Sequence, residues 1–135
     1  MKKSLVIIMS IFLSFGLYSF AQLYQSKDWV VPESANKLKN PTDKSDKREL
    51  AEGKIIYSKY CESCHGKEGY GDGPKAKEMK GDLGDFSSDK FQSQTDGAIF
   101  YKIKTGRGDM DSFEKKLPDE EDRWLVINYI RTLKE

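Results

Sequence analysis

Cys61-Glu62-Ser63-Cys64-His65 is where the reactive side chains of this 135-residue sequence gather. The chain has two cysteines and one histidine, and all three stand in this pentapeptide. Two thiols three residues apart share one helical turn, and an imidazole follows at once. This Cys-x-x-Cys-His spacing is the attachment pattern of a c-type haem. Each thiol can form a thioether to a haem vinyl group. The tethered imidazole then meets the iron at very high local concentration. Other chemistries use the same side chains. A Cys-x-x-Cys pair can be a thioredoxin-like redox centre, but no strand–turn–helix context is visible around it. A structural zinc site wants a fourth ligand, and with no further Cys or His that ligand has to be a carboxylate. A short-loop disulfide is the plainest option.

The ligand census narrows the haem reading. His65 is the sole histidine, so bis-histidine ligation within one chain is excluded. Methionine sulfur is the usual partner of histidine and raises the reduction potential. Met79 and Met110 are the methionines outside the N-terminal segment. Met79, between Glu78 and Lys80, reads as packing. Met110 ends the run Gly106-Arg107-Gly108-Asp109-Met110, whose glycines give a loop the freedom to reach the far face of a haem.

These residues need elements to hold them. Asp46 and Glu49 have capping-box spacing. Behind them Leu50, Gly53, Tyr57, Cys61 and Cys64 recur at helical steps on one face. Residues 66–94 are rich in Gly, Asp, Ser and Lys and read as a long loop, of the kind that is usually functional. Thr95 is a good N-cap for a second helix carrying Ile99 and Ile103, and Gly106 ends it. A last helix opens with Pro118 in its first turn and Asp119 to Asp122 at its positive end, and Trp124 to Ile130 is apolar on most sides. No segment alternates for long, so the expected fold is all-α, with one domain over 46–135. Residues 22–45, broken by Pro32 and Pro41, read as an irregular arm.

The N-terminal segment is an address. Met1-Lys2-Lys3 precedes an uncharged run from Leu5 to Ala21, and Ser19-Phe20-Ala21 offers a cleavage site before Gln22. Residues 1–21 read as a signal peptide, with an uncleaved anchor as the rival. Either puts the rest outside the cytoplasm, periplasmic or anchored to the outer face of the cytoplasmic membrane. Hydrophobic residues are 37% of the chain, and fourteen of them fall in these first 21 positions. The remainder is poor in apolar residues for a globular domain, so a cofactor that supplies core is expected. Lys and Arg number 23 against 22 Asp and Glu. That balance excludes a nucleic-acid binder driven by basic excess. The length excludes a multidomain enzyme, and no nucleophile–base arrangement asks for one.

Taken in order, these features resemble a class I, monohaem cytochrome c over residues 47–135. Gly53 and Tyr57 precede Cys61-Glu62-Ser63-Cys64-His65-Gly66. Gly71-Asp72-Gly73-Pro74, Asp85-Phe86 and Asp96-Gly97-Ala98-Ile99-Phe100 follow. Gly106, Met110 and Phe113 come next, and Arg123 to Arg131 closes the set. The resemblance implies the cytochrome c fold, helices wrapped around one covalent haem c held by Cys61 and Cys64. It implies His65 and Met110 as axial iron ligands. Pro74 matches the position whose carbonyl accepts from the axial histidine, and Tyr57, Phe86 and Trp124 match haem-packing positions. Gly53 and Tyr57 match the crossing of the first helix with Val126 and Tyr129 on the last. Asp111 stands where the family often has proline, which implies a looser loop. The function implied is a one-electron carrier, not an enzyme, working as a monomer between redox protein partners. The alternatives are a gas sensor or the cytochrome subunit of a larger oxidoreductase.

Overall fold

The computed structural model describes residues 29–134. The expected leader and the start of the arm lie outside the described residues. Among them are the helices α1 (Glu33–Asn36), α2 (Lys47–Tyr60), α3 (Glu62–His65), α4 (Asp89–Gln92), α5 (Asp96–Thr105) and α6 (Glu120–Arg131), with a 3-10 turn at Ala76–Glu78. The only ladder contact among the described residues is an isolated bridge between Arg107 and Met110. The protein is all-helical, as the sequence suggests. No helix among the described residues is long and apolar enough to cross a membrane.

Local chemistry sets most helix ends. The Asp46 side chain accepts from the Arg48 and Glu49 amides and starts α2. The reciprocal half of the expected capping box is not made. Glu49 reaches past Asp46 and accepts from the Asp43 amide at 2.8 Å, so the acid ties down the chain entering the helix. Thr95 Oγ1 accepts from the Ala98 amide and starts α5, and Gly106, at φ 64°, stops it. Asp119, not Pro118, caps α6, which begins at Glu120. Pro118 therefore lies just outside the helix it was expected to open. The 66–94 segment is more ordered than its composition suggests. Ser88 caps α4 by accepting from the Phe91 amide.

The core lies where α2 crosses α6. An added Cβ at Gly53 would stand 2.2 Å from the Leu125 carbonyl oxygen and 3.3 Å from the Tyr129 Cβ, so only a glycine lets the two backbones meet there. Beside this contact the Tyr57 and Tyr129 rings pack at 5.1 Å. Val126 and Ile127 are sealed from solvent. On the other side of α6, Trp124 stacks on Phe100 of α5 at 4.1 Å and 17°. Aromatic pairs of this kind add about 0.5–1.5 kcal/mol beyond burial.

Polar anchors surround the core. Arg131 places Nε and Nη2 on Asp96 Oδ1 at 2.8 and 2.6 Å, joining α6 to the start of α5. Asn128, 2% exposed, is clasped by the arm: Asn40 Nδ2 donates to its Oδ1, and its Nδ2 donates to Thr42 Oγ1, both at 2.8 Å. The arm expected to be irregular contains α1, which packs against α5.

Candidate haem site

The Cys-x-x-Cys-His string occupies the α2–α3 junction. α2 ends at Tyr60, and Cys61 both closes it and precedes α3. A four-residue helix leaves its last carbonyls without helical partners. The following loop supplies them. The amides of Lys75, Gly73 and Gly71 donate to the carbonyls of Ser63, Cys64 and His65 at 2.8, 3.2 and 2.8 Å. The loop is thereby wound back on the string, with Pro74 held between two of those bonds.

Tyr57 adds a bond from below. It is 1% exposed, and its hydroxyl donates to the Gly66 carbonyl at 2.7 Å, next to His65. Burial holds this phenol well above its ordinary pKa, so it stays a donor. Tyr57→Phe leaves that carbonyl with only the longer bond from the Gly69 amide, at 3.3 Å. It is expected to destabilise the haem-loaded protein by about 1–2 kcal/mol, seen as a lower denaturant midpoint with an unchanged slope. A midpoint equal to the parent's would show that the bond contributes nothing net.

One apolar cavity brings the expected ligands together. It is lined by Cys61, His65, Phe86 and Met110 together with Ile103, Phe113, Leu117, Val126 and Ile130. Cys61 and His65 come from the α2–α3 junction. Met110 arrives from the far loop, where it closes a tight turn. The Arg107 amide donates to the Met110 carbonyl at 2.9 Å, and the Met110 amide donates back to the Arg107 carbonyl at 3.0 Å. Three further contacts join the rest of the loop to its surroundings. Asp111 pairs with Lys116. Ser112 Oγ donates to the Lys104 carbonyl at 2.7 Å, and the Phe113 amide to the Ile103 carbonyl at 3.1 Å.

Burial, with Cys64 beside it, pushes the Cys61 thiol up to about 12, so the thiol of the closed chain is un-ionised near neutral pH. Cys61 and Cys64 are not bonded to each other. Among the described residues no group of three or more His, Cys, Asp and Glu side chains is arranged for a metal ion. Burial also lowers the His65 pKa to about 4, against a weaker opposing bond to the Leu83 backbone. The imidazole is therefore neutral near pH 7, the form that binds iron. Its Nδ1 is buried without a hydrogen-bond partner. Orphaned polar atoms of this kind are costly and mark a side chain whose bonding is completed by something else.

The remaining expected residues divide. Phe86 reaches the cavity and stacks on the His65 ring at 4.4 Å. Tyr57 meets Phe86 edge-on at 6.5 Å but does not line the cavity. Trp124 is spent on Phe100. The Leu83 backbone faces the imidazole and partly offsets the lowering of its pKa. Leu117 was missed as a wall residue, and its signal was a lone apolar side chain amid charged ones before Pro118. Buried Arg123 was missed too. Its Nη1 donates to the Leu117 carbonyl, and its guanidinium lies 5.3 Å over Phe100. It braces the cavity wall from behind.

A haem c fits this donor set. Two thiols can tether it, a neutral imidazole and a thioether sulfur can ligate its iron, and the wall around them is apolar. Comparisons with known proteins agree. A chain from the reducing HAO-like protein complex of Kuenenia stuttgartiensis superimposes with a TM-score of 0.59 at 31% identity, covering 85% of this chain and 54% of that one. The present chain thus spans about half the length of that relative. A search among curated proteins finds no match. Residues 48–130 match the family described as cytochrome c oxidase, cbb3-type, subunit III. The chain belongs to this family of monohaem class I cytochrome c domains, whose chemistry is haem-based electron transfer.

Proposed function

We propose that this protein is a one-electron carrier outside the cytoplasmic membrane, with one haem c tethered by Cys61 and Cys64 and ligated by His65 and Met110. One observation carries the reading: Met110 lines the same apolar cavity as Cys61 and His65, although the two ligands are 45 residues apart. When bound, the haem supplies a reversible one-electron couple at its iron. The chain's own residues hold it still. Two tethers and a short helix fix the His65 side, and the braced turn at 107–110 fixes the other. Because both ligands are held in advance, little rearrangement accompanies a change of charge. With one imidazole nitrogen on iron, Nδ1 is left to donate, and the Pro74 carbonyl is the expected acceptor. Such a bond raises imidazole basicity. The wall around the ligands is mostly apolar, which suits a carrier that passes electrons without making or breaking a substrate bond.

The intact mass of the exported protein tests this together with a redox titration. The expected product lacks residues 1–21, is heavier than that chain by one haem, keeps its colour through acid extraction, and titrates as a single one-electron wave. A colourless, fully folded product overturns the proposal.

The likeness to a chain of a protein complex favours a second reading, a cytochrome subunit working inside a larger assembly. A stable partner recovered with the chain, rather than a monomer, is the outcome that separates the two.

A further inference from the structure

We propose that Trp29 is a positioning residue for Met110, and that the arm carrying it is a strap across the distal loop. The proposal rests on the reading of Met110 as an iron ligand.

The strap is anchored along its length. Asn40 and Thr42 clasp Asn128 of α6, as described above. Further along, Ala35 is 7% exposed, and a Cβ added at Gly97 would stand 2.1 Å from the Ala35 carbonyl oxygen. The backbone of α1 thus lies directly on α5. Thr95 Oγ1 donates to Asn36 Oδ1 at 3.2 Å beside that contact. None of these contacts touches the haem cavity.

The arm then reaches Trp29, whose ring takes two cations. The Arg107 guanidinium lies 4.7 Å from its centroid and the Lys102 ammonium 5.6 Å. Arg107 is the residue that exchanges both backbone hydrogen bonds with Met110. A ring stacked on Arg107 therefore restrains the partner strand of the turn that carries the sulfur. The opposite side of the turn is gripped as well, because the Asp109 carboxylate accepts from the Lys80 amide at 2.8 Å. Cation–π contacts strengthen as they lose water, and Trp29 is half-buried.

The consequence follows from population arithmetic. An outside ligand reaches iron only in the fraction of molecules whose Met110 has swung away, and its apparent affinity scales with that fraction. Trp29 lowers the fraction without touching the haem.

The test uses the full, haem-loaded chain and imidazole as the competing ligand. Trp29→Ala is expected to raise imidazole affinity for the oxidised iron about three- to thirty-fold, the span of a cation–π contact. Hydrogen exchange at the Arg107 and Met110 amides is expected to quicken by a similar factor. Trp29→Phe keeps a ring and restores most of both. Imidazole affinity and amide exchange equal to the parent's in Trp29→Ala overturn the proposal. If Trp29→Ala does not accumulate, Arg107→Gln, made alone and together with Trp29→Leu, replaces it. The Arg107→Gln effect is expected to be smaller in the Trp29→Leu chain, which has no ring, than in the parent, and equal effects overturn the strap. Failure of the underlying ligation looks different: the parent then lacks a methionine–iron charge-transfer band and binds imidazole as tightly as Met110→Ala.

Discussion

Met110→Ala is expected to erase the methionine–iron charge-transfer band of the oxidised protein while leaving the haem attached. The reasoning starts from the ligand inventory. Apart from Met110, the cavity wall offers Cys61 and His65 as its only other nitrogen or sulfur side chains, and both belong to the opposite side. No side chain of that wall can replace the lost sulfur. Iron then takes water or an added ligand. Carbon monoxide affinity of the reduced form is expected to rise about 100-fold or more, the factor by which a ligand bound about 99% of the time suppresses a competitor. The reduction potential is expected to fall by on the order of 0.1 V, since axial ligand identity spreads haem potentials over about 0.8 V. An unchanged band, or unchanged carbon monoxide binding, would remove Met110 from the iron.

Gly53→Val is the second large effect. The new Cβ meets the Leu125 carbonyl oxygen at 2.2 Å and its carbon at 2.8 Å. Both are backbone atoms inside α6, so neither can rotate away. The helices have to separate, and the Tyr57–Tyr129 contact and the sealed Val126 and Ile127 lose packing together. Overpacking of this kind costs about 1–3 kcal/mol, occasionally more, and the upper end applies because backbone has to move. A better helix former at position 53 offsets only a few tenths to about 1 kcal/mol. A loss of about 3 kcal/mol is a large share of a small domain's stability. The expected readouts are a sharply lower denaturant midpoint and poor accumulation of coloured protein. Exposed Lys54→Ala, on the same helix, is expected to change neither. A Gly53→Val protein with the parent's midpoint would show that the crossing is looser than its geometry.

How much of this was readable beforehand depended on range along the chain. Asp46, Thr95 and Gly106 could be read because a cap acts within three or four residues. The heads of α1 and α4 were not, since four residues carry no periodicity. α1 owes its place to Gly97, far along the chain. The Cys61–His65 string and Met110 were legible as a set because the chain offers so few other ligands. Trp124 was legible only as a buried residue of the last helix. Pattern says that an aromatic is buried, and only packing says that its neighbour is Phe100. Asp111 shows the same limit, since only the fold shows that its carboxylate meets Lys116. Buried Arg123 breaks the rule that charges face water, and its partner is a backbone carbonyl that no sequence pattern displays.

The loop wound back over the string also dictates a timetable. In the closed chain the Cys61 thiol is half-buried and pushed up to about 12. Bond-making at sulfur needs access and a reactive thiol. On the proposed reading, the tethers are therefore expected to form before the amides of Gly71, Gly73 and Lys75 close on the carbonyls of His65, Cys64 and Ser63, and haem is expected to attach more slowly to a prefolded chain than to an open one.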